Sequence, residues 1–281
     1  MSSSNKNMQI FKILVMIVCV ILSILSLFPF IIMIVNSTRS TPQIQQHAVS
    51  LIPGTNLLKN WGILTGKTFN PAKGFLNSII VSTGVSVLAL YFSTLTAYAL
   101  VMYEWKLKNV FFSFIMAIMM IPSTVTIIGF FQMVYKVHMT NHLLVLILPA
   151  IASPSLVFFM RQYMKPAVSV SLVESARIDG SNEFFTYNVI VLPIMKPAIA
   201  TQAIFTFVTS WNELFRPSVI LTDKTKATLP IMVSMLNGDI YKKEHGAIYL
   251  GLTLTALPLI IVYFILAKYI VAGVALGSVK G

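Results

Sequence analysis

The sequence predicts an all-α polytopic membrane protein with six transmembrane helices, on three observations. Hydrophobic residues make up 57% of its 281 and charged residues only 10%, where a soluble domain carries about a quarter charged. The apolar residues gather into six runs, each long enough at ~1.5 Å per residue to approach or exceed a ~30 Å hydrocarbon core. As those runs are drawn, no Asp or Glu falls inside any of them.

The first run, 13–35, follows a mostly polar start. Its flank, Val35-Asn36-Ser37-Thr38-Arg39, offers no small-x-small cleavage pattern, so it reads as an uncleaved helix. Residues 36–74 are mixed and punctuated by Pro42, Pro53, Gly54 and Pro71, which suits an ordered segment of short or interfacial helices with Trp61 as an anchor. A second span covers 75–101 and ends at an aromatic and basic edge, Tyr103, Trp105, Lys106 and Lys108. The third, 110–135, is interrupted by Pro122, and the fourth, 143–163, by Pro149 and Pro154. Membrane helices tolerate such prolines because neighbours satisfy the freed carbonyls. The fifth covers 187–210 and the sixth 247–272, with a polar segment, 211–246, between them.

Between the fourth and fifth spans lies a charged interruption, 171–193. Ser171 followed by Glu174 has the spacing of a capping box. Leu172, Val173, Ala176 and Ile178 give the short helix an apolar side, and Gly180 suits its left-handed end. Ser181 or Asn182 is placed to cap a second helix running into Ile190, Leu192 and Pro193. This local pattern alone also fits a solvated turn between two spans.

The full spacing resembles the EAA loop of ABC importer permeases: Glu174-Ser175-Ala176, then Asp179-Gly180-Ser181, then Ile190-x-Leu192-Pro193. Ser175 and Ser181 stand where that family usually has alanine, and both are small. Further stretches are similar to the carbohydrate branch of that family: Phe75-Leu76-Asn77-Ser78, Ile121-Pro122, Leu148-Pro149, Arg161-Gln162-Tyr163, Lys196-Pro197-Ala198 and Trp211-Asn212-Glu213. The ending Gly277-Ser278-Val279-Lys280-Gly281 is similar to that of the smaller permease of maltose-type importers.

The resemblance implies the type I permease fold. It also implies a division into residues 1–74 (tail, first helix and external segment) and a five-helix core, 75–281, with a cytoplasmic coupling loop at 165–186. Glu174, Ser175, Ala176, Asp179 and Gly180 would then couple the chain to an ATPase. The implied partners are a second permease in a heterodimer, two cytosolic ABC ATPase subunits and an extracytoplasmic sugar-binding protein that meets the segment 211–246. The chain would sit in a prokaryotic inner or plasma membrane with both termini cytoplasmic, passing a di- or oligosaccharide and catalysing nothing itself.

Charge and motif content narrow the alternatives. The formal net charge of +12 is scattered rather than striped, so it points to anionic lipid and not to nucleic acid. Ion-coupled carriers place ionisable groups at mid-membrane, and these spans lack acids there, although a sugar channel or facilitator without an ATPase passes the same test. The glycines and lysine at 273–281 lack the spacing of a phosphate-cradling loop. Asn77, Gln132, Gln202, Phe205, Thr206 and Thr209 could line a path for a polyhydroxylated solute; such groups equally serve hydrogen bonding between helices. His138 and His142 are four apart with no carboxylate or thiol beside them in the short loop, so no metal site is assigned, and no cofactor is called for. The single cysteine, Cys19, excludes an intrachain disulfide.

Overall fold

The computed structural model describes residues 2–66, 70–237 and 243–278, with side chains described from residue 8 onward except at 123–124 and beyond 265. Val279, Lys280 and Gly281 of the closing motif lie outside it. All regular elements among the described residues are helical. In chain order they begin with α1 (Ser2–Ser37), α2 (Thr41–Gln46), α3 (Leu57–Thr65), α4 (Pro71–Met102), α5 (Lys108–Met119) and α6 (Ser123–Lys136). Next come α7 (Leu144–Ile147), continued by a 3-10 turn (Leu148–Ile151), then α8 (Pro154–Ala167), α9 (Val170–Ile178) and α10 (Glu183–Phe185). A π-helical segment (Thr186–Val191) leads into α11 (Leu192–Ile194), α12 (Lys196–Asn212), α13 (Phe215–Ile220), α14 (Leu229–Asn237) and α15 (His245–Ser278). The chain forms two compact units, α1–α3 with Val233–Leu257, and Asn70–Met232 with the remainder of α15.

In the first unit, α1 crosses its expected span with apolar side chains exposed along most of its length. The segment after it is a knot of side chains bonded to carbonyls. Arg39 is buried, and its guanidinium donates to Asn36 Oδ1 (2.9 Å), His47 O (2.7 Å) and Gln43 O (2.9 Å). Ser40 and Gln43 close a capping box on α2. From α3, buried Asn60 donates to Ser37 O (2.8 Å) and Arg39 O (2.9 Å). A buried cation satisfied by three oxygens escapes most of its desolvation cost, which explains how Arg39 sits inside.

In the second unit, α4 is the central helix and packs against both α8 and α12. Ser78, Ser82, Ser86, Ala89, Ser93 and Ala97 are buried along it. Small residues at helical spacing let neighbouring backbones approach closely. Where α4 continues to its end, Tyr98 and Met102 meet Met160 and Met164 of α8, with Met195 and Tyr187 completing one core cluster. The unbranched methionines fill the irregular gaps there.

Prolines shape the later spans more than a continuous helix would allow. By length and composition, α1, α4 and α15 are able to cross a membrane, and two bent pairs raise the number to five. One pair joins Leu144–Ile151 to Pro154–Ala167 at 40°; the other joins Glu183–Ile194 to Lys196–Asn212 at 78°. The second bend breaks the fifth span, expected as one run over 187–210. Pro193 and Pro197 flank it, each removing an amide and crowding the carbonyl four residues back. The expected third span is two helices, α5 and α6, separated at Pro122; at ~1.5 Å per residue each alone falls short of ~30 Å. The segment 211–246 is likewise not simply polar: it contains α13 and α14, and Ile220, Leu221, Ala227, Leu229 and Ile231 are buried.

Candidate functional site

The first candidate site is the turn around α9. Val170–Ile178 is helical, and its N-cap is Ser169, whose Oγ accepts from Leu172 N (3.3 Å). The Ser171–Glu174 capping box expected from the sequence is therefore not formed; the helix starts two residues earlier. The reason is a hydrophobic staple. With Ser169 as the cap, Val168 precedes it and Val173 is the fourth helical residue, and both are buried in the same core cluster. A cap at Ser171 would put exposed Val170 and Ser175 in those places.

The other end of α9 is as expected. Gly180 has φ +83°, a conformation that costs a side-chain-bearing residue ~1–2 kcal/mol. Gly180 N donates to Arg177 O (3.0 Å) and Ser181 N to Ala176 O (2.9 Å), the paired bonds of a Schellman ending. Asn182 Oδ1 then accepts from Phe185 N (2.8 Å), so Asn182 rather than Ser181 caps α10.

This turn sorts the side chains of the motif. Val173 and Ala176 face inward, whereas Glu174, Ser175, Asp179 and Gly180 are exposed. Ile178, expected on the apolar side, is instead 86% exposed. Glu174 makes no hydrogen bond or ion pair with the other described residues, so its carboxylate is available to a partner. Arg177 turns back: its Nε donates to Glu183 Oε1 at 2.6 Å and its guanidinium lies 4.8 Å from the Tyr103 ring centroid. The hydrogen bond to Glu183 raises the Arg177 pKa further above its ordinary value, against a smaller opposing effect of burial. Burial, with the nearby Glu183, pushes the Tyr103 hydroxyl up as well.

The second candidate site is a cavity of about 560 Å³ inside the second unit. Val81, Val85 and Ala89 of α4 form one wall, and the broken segment Pro149–Leu156 contributes another. Gln202, Phe205, Thr206 and Thr209 of α12 supply amide, hydroxyl and aromatic groups, and Glu213 and Arg216 line it as well. Glu213 Oε1 accepts from Phe215 N (3.2 Å) and Arg216 N (3.4 Å) at the start of α13. Hydroxyls and amides beside an aromatic face suit a neutral polyol, which offers both donors and an apolar ring surface.

Two other expected path residues lie elsewhere. Gln132 is exposed on α6 and does not line the cavity. Asn77 donates to Thr225 O (3.1 Å) and Ala227 O (3.0 Å), while Ser78 Oγ accepts from Leu229 N (2.9 Å). The pair thus fastens the 225–229 segment to the head of α4. Nearby, Asn141, itself at φ +63°, accepts from Asp223 N (2.7 Å), and Thr225 N and Oγ1 donate to Asp223, holding that carboxyl below its usual range. The sequence reading missed Glu213 and Arg216 as lining residues; their position directly after the polar face of α12 is the signal that marks them. No cluster of metal-ligating residues occurs among the described residues.

Comparison with known proteins places the chain in context. Residues 89–276 match the family described as "Binding-protein-dependent transport system inner membrane component". The arabinooligosaccharides transport system permease protein AraQ of Halalkalibacterium halodurans is 34% identical over 256 residues, 90% of this chain and 91% of that protein. The lactose transport system permease protein LacG of Rhizobium radiobacter is 30% identical, covering 90% of each. The sn-glycerol-3-phosphate transport system permease protein UgpE of Yersinia pestis is 28% identical over 92% of this chain and 93% of its own. A crystal structure of a bacterial ABC transporter for import of the acidic polysaccharide alginate contains a chain with the same fold, at TM-score 0.80 and 24% identity, covering 93% of this chain and 97% of that one.

Proposed function

Because the chain belongs to the family of binding-protein-dependent transport system inner membrane components, we propose that it is the smaller permease of a bacterial ABC importer for a di- or oligosaccharide. In this reading it spans the membrane six times with both termini cytoplasmic, α5 and α6 together forming the third crossing. It pairs with a second permease. Two cytosolic ABC ATPase subunits hydrolyse ATP, and an extracytoplasmic binding protein delivers the sugar to the 211–246 side. The chain itself performs no chemistry.

The observation that carries the proposal is the exposed end of α9. Glu174, Ser175, Asp179 and Ile178 project from a helix held at its start by a staple and at its end by a left-handed glycine. An exposed carboxylate beside an 86%-exposed isoleucine on a rigid turn has the makings of a docking knob. Gln202, Phe205, Thr206 and Thr209 in the cavity support a hydroxyl-rich solute, as do the arabinooligosaccharide and lactose named for two relatives.

Energy dependence tests this reading. Cells carrying the whole transporter should accumulate labelled arabinooligosaccharides or lactose against a gradient. Deleting the ATPase gene should abolish that accumulation. Downhill sugar flux through vesicles holding this chain without any ATPase would instead favour the self-contained facilitator.

A further inference from the structure

The turn around α9 is joined to α4 by a set of polar and ring contacts that neither the motif nor the family comparison assigns. Tyr98, 3% exposed near the end of α4, donates its hydroxyl to Glu183 Oε2 at 2.7 Å. The other oxygen of the same carboxylate takes the 2.6 Å bond from Arg177, the penultimate residue of α9. One carboxylate is thus shared by two donors, one on each of the elements it joins. Two turns earlier on α4, Tyr91 does the same for the π-helical segment: Tyr187 donates to Tyr91 O (2.9 Å) and Tyr91 to Asn188 Oδ1 (3.3 Å). The rings close the arrangement, Tyr187 lying 5.5 Å from Tyr91 and 5.6 Å from Tyr98 between centroids.

An exposed ion pair alone fixes little, and Arg177 and Glu183 side chains are 32% and 45% exposed. The buried tyrosine hydroxyl changes that, because hydrogen bonds in a shared, partly desolvated network reinforce one another. The direction of the link matters too. Ala89, two residues before Tyr91, and Val85 and Val81 before it, wall the cavity.

We propose that Tyr98, Arg177 and Glu183 form a clamp that makes the α9 turn and α4 move as one body, so that displacement of the turn reaches the cavity wall directly. These are positioning residues, and the proposal rests on the reading of α9 as the ATPase-docking element. Single turns of π-helix recur at functional positions, and here the π segment sits beside the clamp, before the 78° bend at Met195.

Spin-label distances within the assembled transporter test the clamp without knowledge of the sugar. Replacing Cys19 by Ser leaves no cysteine, and labels then go on exposed Val87 of α4 and Ile178 of α9. The clamp predicts a single 87–178 distance that does not shift between the nucleotide-free state and the ADP–vanadate-trapped state. Tyr98→Phe keeps the ring and its packing while removing the hydroxyl; in that variant and in Glu183→Gln the trapped state should broaden the distribution or shift it by several ångströms. A nucleotide-dependent shift in the parent overturns the clamp, as does an unshifted, narrow distance in both variants. A second pair, position 178 to a label on the ATPase subunit, separates the two readings. No measurable 178–ATPase distance overturns the docking reading and the clamp with it; a short one beside a mobile 87–178 pair overturns the clamp alone.

Discussion

Gly180→Val should cut sugar uptake several-fold or more while the chain still inserts and pairs with its partner permease. A Cβ at Gly180 has open space around it, with nothing within 4 Å, so the effect is one of backbone and not of crowding. At φ +83° a side chain costs about 1–2 kcal/mol, more when β-branched. That is enough to displace the docked geometry of the turn roughly five- to thirty-fold. Losing the left-handed residue also loosens the bonds from Gly180 N and Ser181 N that close α9. Gly180→Asn, whose residue tolerates this region, should retain most of the uptake. Membrane levels of the chain should match the parent in both, as measured by immunoblot alongside uptake of labelled sugar. Normal uptake in Gly180→Val would leave α9 without a coupling role.

Gly246→Ala should cost several kcal/mol of stability through a single added methyl group. In the first unit, a Cβ at Gly246 would run into Arg39 O and lie 2.5 Å from Asn60 Nδ2. Asn60 is 3% exposed and its amide is committed to the carbonyls of Ser37 and Arg39. Room for the methyl comes only by moving backbone or displacing that amide. Overpacking costs roughly 1–3 kcal/mol and an orphaned buried polar group about 1–3 more. The measurement is the unfolding midpoint of the purified transporter followed by size-exclusion fluorescence. Gly62→Ala on α3 is the matched comparison: nothing lies within 4 Å of its Cβ, so it should leave the midpoint level or raise it slightly. Equal midpoints for the two variants would refute the packing account of the Arg39–Asn60 knot.

The sequence was most informative where one residue type has one physical use. Gly180 ends α9 because few other residues accept that φ. Where several residues offer the same chemistry, local reading failed. Ser169 and Ser171 are equally good caps in isolation, and only the burial of Val168 and Val173 chooses between them. The prolines were read unevenly: Pro149 and Pro154 announced an interruption and flank a 40° bend, whereas the 78° bend between Pro193 and Pro197 was not foreseen. Asn77 illustrates the same limit at the candidate site. Its amide meets carbonyls 148 and 150 residues away in the chain, a pairing that periodicity does not encode. The Tyr98–Glu183 bond, across 85 residues, was equally out of reach. Gln202, Phe205, Thr206 and Thr209 come together because their spacing places them along one helix, α12, whose polar character was readable directly.

The central claim is that the end of α9 meets a cytosolic ATPase, and the most direct measurement is cross-linking from that end in intact membranes. With Cys19 replaced by Ser, a single cysteine goes at Ile178, 86% exposed, or at Leu58, 84% exposed on α3. A maleimide carrying a photoreactive diazirine at its other end should join position 178 to the ATPase subunit, and an impermeant maleimide applied to whole cells should leave that position unlabelled. Position 58 should label from outside and never cross-link to the ATPase. Labelling of position 178 from outside, with no ATPase adduct, would contradict the account.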